Sequence, residues 1–138
     1  MVGNIKNTKN KMGRIRRVLE LIKEDLELEI NRDEAQDLLD SLQDEDDFYQ
    51  DIDGCEYRFI SDWVIWETYK ETIQEITEDC YDIKAPSWLE IDWEKTAENC
   101  FVDGYGHTFS GYDGSEVEFT IHNKDGITTT DWYAFRTN

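Results

Sequence analysis

The run of residues 56–83 constrains the fold most, because its apolar residues recur at the spacing of one helix face. Successive apolar positions are three or four residues apart throughout, which is typical of an α-helix and not of a strand. They are Phe59, Trp63, Trp66, Tyr69, Ile73, Ile76, Cys80 and Ile83. No Pro or Gly interrupts the run. The pattern predicts one long helix over about residues 55–83, with Trp63 and Trp66 in the core.

The same helix carries acidic residues on another face, most of them four residues apart. They are Glu67, Glu71, Glu75, Glu78, Asp79 and Asp82, and we call them the ladder. Like charges four apart destabilise a helix by roughly 0.2–0.5 kcal/mol per pair. Lys70 and Lys84 are the only cations nearby in the sequence. A helix selected for stability alone would carry more lysine, so we interpret the ladder as a partner-binding surface.

Acidic residues dominate the whole chain after a basic start. The 138 residues include 33 acidic and 14 basic side chains, a net charge of −19. Six basic residues and no acid lie in the first 17 residues, so the remainder carries −25. Such a body repels nucleic acid and anionic membrane and attracts basic proteins. Solubility, or life in high salt, is the alternative interpretation.

Residues 1–12 are expected to form a disordered basic arm, and residues 13–138 a single acidic domain. Three cysteines without a CxxC pair favour a reducing compartment. The chain has no apolar run of the ~20 residues that span a bilayer, and the basic start lacks an apolar signal core. We therefore expect a protein of the bacterial host cytoplasm that does not bind a membrane.

Further helices are predicted on both sides of the long one. An amphipathic pattern covers Arg14–Ile30, and Asn31 can cap a helix over Arg32–Leu42. Asp92 can cap a helix through about Cys100. Ser87 and Glu90 fit a capping box just before it.

The residue pattern changes after residue 100. Three Asp-Gly turn signals there separate short stretches rich in aromatic and β-branched residues. The predicted strands are Cys100–Val102, His107–Tyr112, Glu116–His122 and Ile127–Arg136. The expected fold class is α+β: N-terminal helices, helical over 13–100, packed on a small antiparallel meander, β-rich over 101–138.

A second acidic group lies between the second and the long helix: Asp44, Asp46, Asp47, Asp51 and Asp53. Its end resembles a calcium loop, but the register fails. It would place Tyr49 and Ile60 at loop positions 1 and 12, where carboxylates are required. We interpret this group as a second part of the partner-binding surface.

No catalytic pattern is found in the sequence. His107 and His122, the only imidazoles, have no metal-ligand spacing with the cysteines. Ser110 or Cys100 beside His107 would need an activating arrangement that nothing else supports. The glycines of residues 104–114 lack the GxxxxGK[ST] order of a phosphate loop. The sequence therefore predicts no enzyme, no cofactor and no metal.

The charge suggests imitation of nucleic-acid phosphate. Duplex DNA presents about one charge per 1.7 Å of axis, and carboxylates four residues apart on a helix step about 6 Å. The ladder would need the second acidic group, the acids of residues 24–29 and a second copy of the chain in a homodimer to approach that density. The expected partner is then a basic, DNA-handling host protein.

Two C-terminal segments combine acidic and aromatic residues: Ile91-Asp92-Trp93-Glu94-Lys95-Thr96-Ala97-Glu98-Asn99 and Trp132-Tyr133-Ala134-Phe135-Arg136. They resemble the C-terminal part of ArdA-type antirestriction proteins and of small phage proteins of unassigned function. The resemblance implies a phage or mobile-element protein that blocks a host DNA-targeting defence as a DNA mimic, commonly as a dimer. An immunity or inhibitor protein that docks an acidic face on a basic partner without mimicry is the alternative.

Overall fold

The computed structural model describes residues 13–81, 88–101 and 104–138, which form a four-stranded antiparallel sheet with helices on both faces. The predicted α+β class is confirmed. The predicted arm, residues 1–12, lies outside the described residues. In chain order the elements are α1 (13–20, continued by the π-helical turn Leu21–Asp25), α2 (Arg32–Asp44), β1 (Asp47–Ile52), β2 (Cys55–Ser61), α3 (Ile65–Tyr81), α4 (Trp93–Cys100), the single turn α5 (Gly106–Phe109), β3 (Val117–His122) and β4 (Thr129–Arg136).

The strand order is β1–β2–β4–β3, so that β1 and β3 form the edges. In the β1–β2 hairpin, Ile52 pairs with Cys55 across the two-residue turn Asp53-Gly54. Both turn residues have positive φ, +50° and +78°, which is the conformation of a hairpin turn whose twist matches that of its strands. β2 then pairs with β4, and β4 with β3. The hairpin therefore belongs to the same sheet as the C-terminal strands.

Side chains alternate across the sheet, and each face builds its own core. On one face Phe59 of β2 and Trp132 of β4 pack with α1 and α2. On the other face Ile60 and Phe135 pack with α3, α4 and α5. The first core also contains Val18, Leu21, Ile22, Leu38, Leu39, Phe48, Phe119 and Ile121. The second core also contains Ile65, Tyr69, Ala97 and Phe109.

The prediction of a single helix over about 55–83 is wrong in its first part. Residues 55–61 form the inner strand β2, and α3 begins only at Ile65. β2 is buried on both faces, with Tyr57 and Phe59 in one core and Ile60 in the other. A two-sided strand places apolar residues at positions that also fit a helix period, so spacing alone could not separate the two. The division into a helical part and a C-terminal meander is wrong for the same reason.

Helix α1 ends at Asp25, short of the predicted Arg14–Ile30. A π-helical turn closes it and Glu27 follows with φ +56°, a left-handed conformation typical of residues just past a helix end. The predicted cap of α2 is confirmed. Asn31 Oδ1 accepts the amide N–H of Glu34 at 2.8 Å, and the Glu34 carboxylate accepts the amide of Asn31 in return.

The predicted cap of α4 is also confirmed, since Asp92 Oδ1 accepts the amide of Lys95 at 3.0 Å. Ser87, the first residue of the predicted capping box, lies outside the described residues.

In the C-terminal third, the predicted strands Glu116–His122 and Ile127–Arg136 are confirmed as β3 and β4. A strand over His107–Tyr112 is wrong, because α5 occupies its first half. Cys100–Val102 is not a strand as predicted, since Cys100 ends α4 and Val102 lies outside the described residues. Gly106 lets α5 form close to the backbone of Gly114, where a side chain would not fit. The glycine spacing predicts turns in this segment but does not predict a helical turn.

Candidate partner-binding acidic surface

The ladder lies on the side of α3 that faces away from the sheet. Ile65 and Tyr69 of α3 are buried in the second core, whereas the described ladder residues are all exposed: Glu67, Glu71, Glu75, Glu78 and Asp79. From residue 67 to residue 79 they cover about 18 Å at about 1.5 Å per residue, or roughly one charge per 4.5 Å. Asp82, the sixth predicted member, lies outside the described residues.

Among the described residues, one cation balances part of the ladder. Lys70 Nζ lies 3.0 Å from Glu67 Oε2 and 3.1 Å from Glu94 Oε2. Its hydrogen bonds to Glu67 and Glu94 raise the pKa of Lys70. From residue 71 onward, the ladder forms no ion pair with any described cation. Most of its negative charge is therefore available to a partner.

A hydrogen bond to α4 holds the first half of α3, and the second half extends past the core. Trp66 donates its Nε1–H to Glu94 Oε1 at 2.7 Å. That bond, and next the one from Lys70, lowers the pKa of Glu94. Past Ile73 no described side chain of α3 is buried, and Ile76 is 43% exposed. The ladder is thus presented on a projecting helix.

The second acidic group is spread over several elements. Its members lie at the end of α2, in the bend before β1, on one exposed face of β1 and in the β1–β2 turn: Asp44, Asp46, Asp47, Asp51 and Asp53. Asp47 accepts two bonds from Arg58, at 2.9 and 2.7 Å. Asp44 lies 3.4 Å from Lys124 Nζ. Two of its five carboxylates therefore already have a cation, whereas the ladder from residue 71 onward has no described one.

A third acidic group was missed by the sequence analysis as a site. Asp62, Glu116 and Glu118 surround the pair of Tyr105 and Tyr133, where burial, and next Glu118 and Asp62, raise the pKa of Tyr133 to about 12. Burial also raises the pKa of Glu116. The alternation of acidic and apolar residues in β3 could have placed the two glutamates on one face. Nothing in the sequence could have brought Asp62 beside them.

The placement of Trp63 in the core is wrong, while Trp66 is half-buried against Tyr69 and Phe101. Trp63 is 79% exposed. It lies in the turn of residues 62–64 that precedes α3, so the helical spacing that grouped it with Trp66 does not apply.

The residues weighed for catalysis do not come together in the part of the chain that the structure describes. The Ser110 hydroxyl donates to the carbonyl of Arg136 at 2.9 Å, and His107 and Cys100 are exposed. No described group of three or more His, Cys, Asp or Glu side chains is placed to hold a metal ion. The three cysteines are free thiols.

None of the described helices combines the length and the apolar character needed to cross a bilayer. Comparison with protein-family models, curated proteins and solved structures gives no match. The resemblance to ArdA-type proteins therefore stays a prediction.

Proposed function

We propose that this protein is a phage or mobile-element anti-defence protein that inhibits a host DNA-targeting enzyme, of restriction or CRISPR type, by acidic DNA mimicry. The observation that supports this most directly is the exposed ladder of α3, whose charges from residue 71 onward form no ion pair with a described cation. Its role is electrostatic, and the partner is a basic, nucleic-acid-binding host protein.

The spacing of the ladder is compatible with one strand of a duplex. One charge per about 4.5 Å of α-helix compares with one per about 3.4 Å along a single DNA strand. A cleft lined with Lys and Arg for phosphates would meet carboxylates at a similar density. Binding should then release the same counterions that DNA releases and weaken steeply as salt rises.

A second candidate is an immunity or inhibitor protein that docks on a basic partner without imitating DNA. The observation that favours it is that Asp47 and Asp44 of the second acidic group already have cations. The continuous acidic surface is then one helix wide, enough for a protein interface but narrower than a duplex.

Capture from a bacterial lysate tests both candidates. The tagged protein should retain a nucleic-acid-binding enzyme at low salt and release it at high salt. Excess sheared duplex DNA should displace that enzyme if the two compete for one cleft. Capture that resists duplex DNA would contradict mimicry and favour the second candidate.

Two triple variants make the test specific to α3. Glu71→Lys, Glu75→Lys and Glu78→Lys should abolish capture. The control replaces three acids of α2 that are also exposed and have the same spacing, and it gives the same net charge: Asp33→Lys, Asp37→Lys and Asp40→Lys. Equal loss in both variants would mean that total charge, and not the ladder, attracts the partner.

A further inference from the structure

Trp63 is an exposed aromatic residue on a turn whose backbone is fixed. The amide of Asp62 donates to the carbonyl of Asp131 at 2.9 Å, and the amide of Val64 donates to that of Ser61 at 3.2 Å. Trp63 between them is 79% exposed. A tryptophan side chain gains most by burial, so its display on a held turn does not serve the stability of this fold.

Carboxylates flank Trp63 on both sides along the chain. Asp62 is its neighbour, and Glu67 begins the ladder four residues later, with its side chain 64% exposed although it also binds Lys70. The carboxylates next to Trp63 along the chain thus belong to the turn of residues 62–64 and to the first turn of α3.

Elsewhere this protein combines an aromatic ring and a carboxylate to hold an arginine. The Arg58 guanidinium carbon lies 5.4 Å from the ring centre of Tyr49, while Asp47 accepts both of its bonds. The guanidinium of Arg136 lies 3.7 Å over the ring of Tyr112. Trp63 likewise has carboxylates next to it along the chain, and no described cation lies over its ring.

We propose that Trp63, with Asp62 and Glu67, receives an arginine side chain of the basic partner. This proposal rests on the proposed function and names the anchoring point of the ladder. A guanidinium is planar and weakly hydrated, so it can stack on the indole while its N–H groups bind carboxylates; a lysine ammonium matches this less well. The ladder supplies long-range attraction, and Trp63 supplies a preference for arginine.

Peptides test this without a known partner. Nona-arginine and nona-lysine are titrated separately into the full-length protein at low salt, and isothermal titration calorimetry measures the affinity of each peptide. Wild type should prefer the arginine peptide. Trp63→Ala should lower that preference about 2–5-fold, the effect of one cation–π contact at an exposed site, and Trp63→Phe should restore part of it. Trp88→Ala is the matched control, because Trp88 is 78% exposed in the segment before α4.

The ratio of the two affinities separates this proposal from the proposed function. An unchanged ratio in Trp63→Ala, or an equal fall in Trp88→Ala, would overturn the arginine site. The Glu71→Lys, Glu75→Lys and Glu78→Lys variant should weaken both peptides alike. If it weakens neither, the ladder is not a binding surface and the proposed function fails, whatever the ratio does. If neither peptide binds wild type, both proposals fall.

Discussion

Trp66 Nε1 lies 2.7 Å from Glu94 Oε1, and this hydrogen bond joins the acidic helix α3 to α4. Lys70 of α3 reaches the other oxygen of the same carboxylate at 3.1 Å. One residue of α4 therefore holds two residues of α3, one turn apart, at the point where the ladder begins. This contact helps to set the orientation of α3, since α4 is the main described element that packs against that helix.

Glu94→Ala should consequently loosen α3 and lower the midpoint of thermal unfolding. The Trp66 indole and the Lys70 ammonium both lose a hydrogen-bond partner. Water can replace part of the lost interaction, because this position is exposed. Glu98→Ala on the same helix is the control, because that side chain is exposed and forms no described side-chain hydrogen bond. Circular dichroism measures the midpoint of thermal unfolding. Equal midpoints for the two variants would contradict a structural role for the contact between Glu94 and α3.

Replacements at Phe59 and Trp63 distinguish strand β2 from the predicted long helix. A single helix would bury both residues on one face, whereas the structure buries Phe59 completely and exposes Trp63. Phe59 stacks on Phe48 at 5.2 Å between ring centres. Phe59→Ala should therefore cost about 3–5 kcal/mol of unfolding free energy.

Trp63→Ala should change stability by less than about 0.5 kcal/mol, as surface replacements usually do. Urea unfolding measures both variants. Similar losses at the two positions would favour the helix.

The elements that sequence predicted well are those with a local signal. The cap of α2 by Asn31 and the start of α4 after Asp92 depend on side chains that bind the backbone three residues on. β3 alternates cleanly because only one of its faces is deeply buried. Neither feature requires knowledge of distant residues.

The hairpin β1–β2 also has a local signal in the sequence. Asp53-Gly54 is a two-residue hairpin turn like those noted later in the chain, and it separates two stretches of strand-forming residues. The helical spacing through residues 56–83 outweighed it, since β2 is apolar on both faces.

For the candidate surface, sequence found the ladder but not its surroundings. The ladder is a property of one helix, and helical period places its members on one face. The exposure of Trp63 and the meeting of Asp62 with Glu118 around Tyr133 depend on how β2, β3 and β4 pair. Such neighbours are far apart in the chain and leave no pattern in it.

Alkaline pH should unfold the protein partly through Tyr133. Burial, and next Glu118 and Asp62, raise its pKa from 10.0 to about 12, so folding favours the protonated phenol. The resulting stability is fully present below pH 10 and is lost as pH rises toward 12. Tyr133→Phe should reduce the loss of unfolding free energy between pH 10 and 12. Urea unfolding at a series of pH values measures this loss.

The same replacement at the exposed Tyr49 serves as control. If wild type and Tyr133→Phe lose stability in parallel between pH 10 and 12, the partly buried phenol of Tyr133 is not responsible.

The ladder should weaken the fold that carries it. Glu71→Gln with Glu75→Gln removes three like-charge pairs at four-residue spacing, which should stabilise the protein by about 1 kcal/mol. Urea is the denaturant to use, because guanidinium salt would screen the effect.

Asp37→Asn with Asp40→Asn on α2 changes the net charge equally and also removes like-charge pairs. Both double variants should therefore be as stable as wild type or more so, but only the α3 variant should lose capture of the partner. A loss of stability in the α3 variant would mean that these carboxylates hold the fold together, and their charge would then need no partner to explain it.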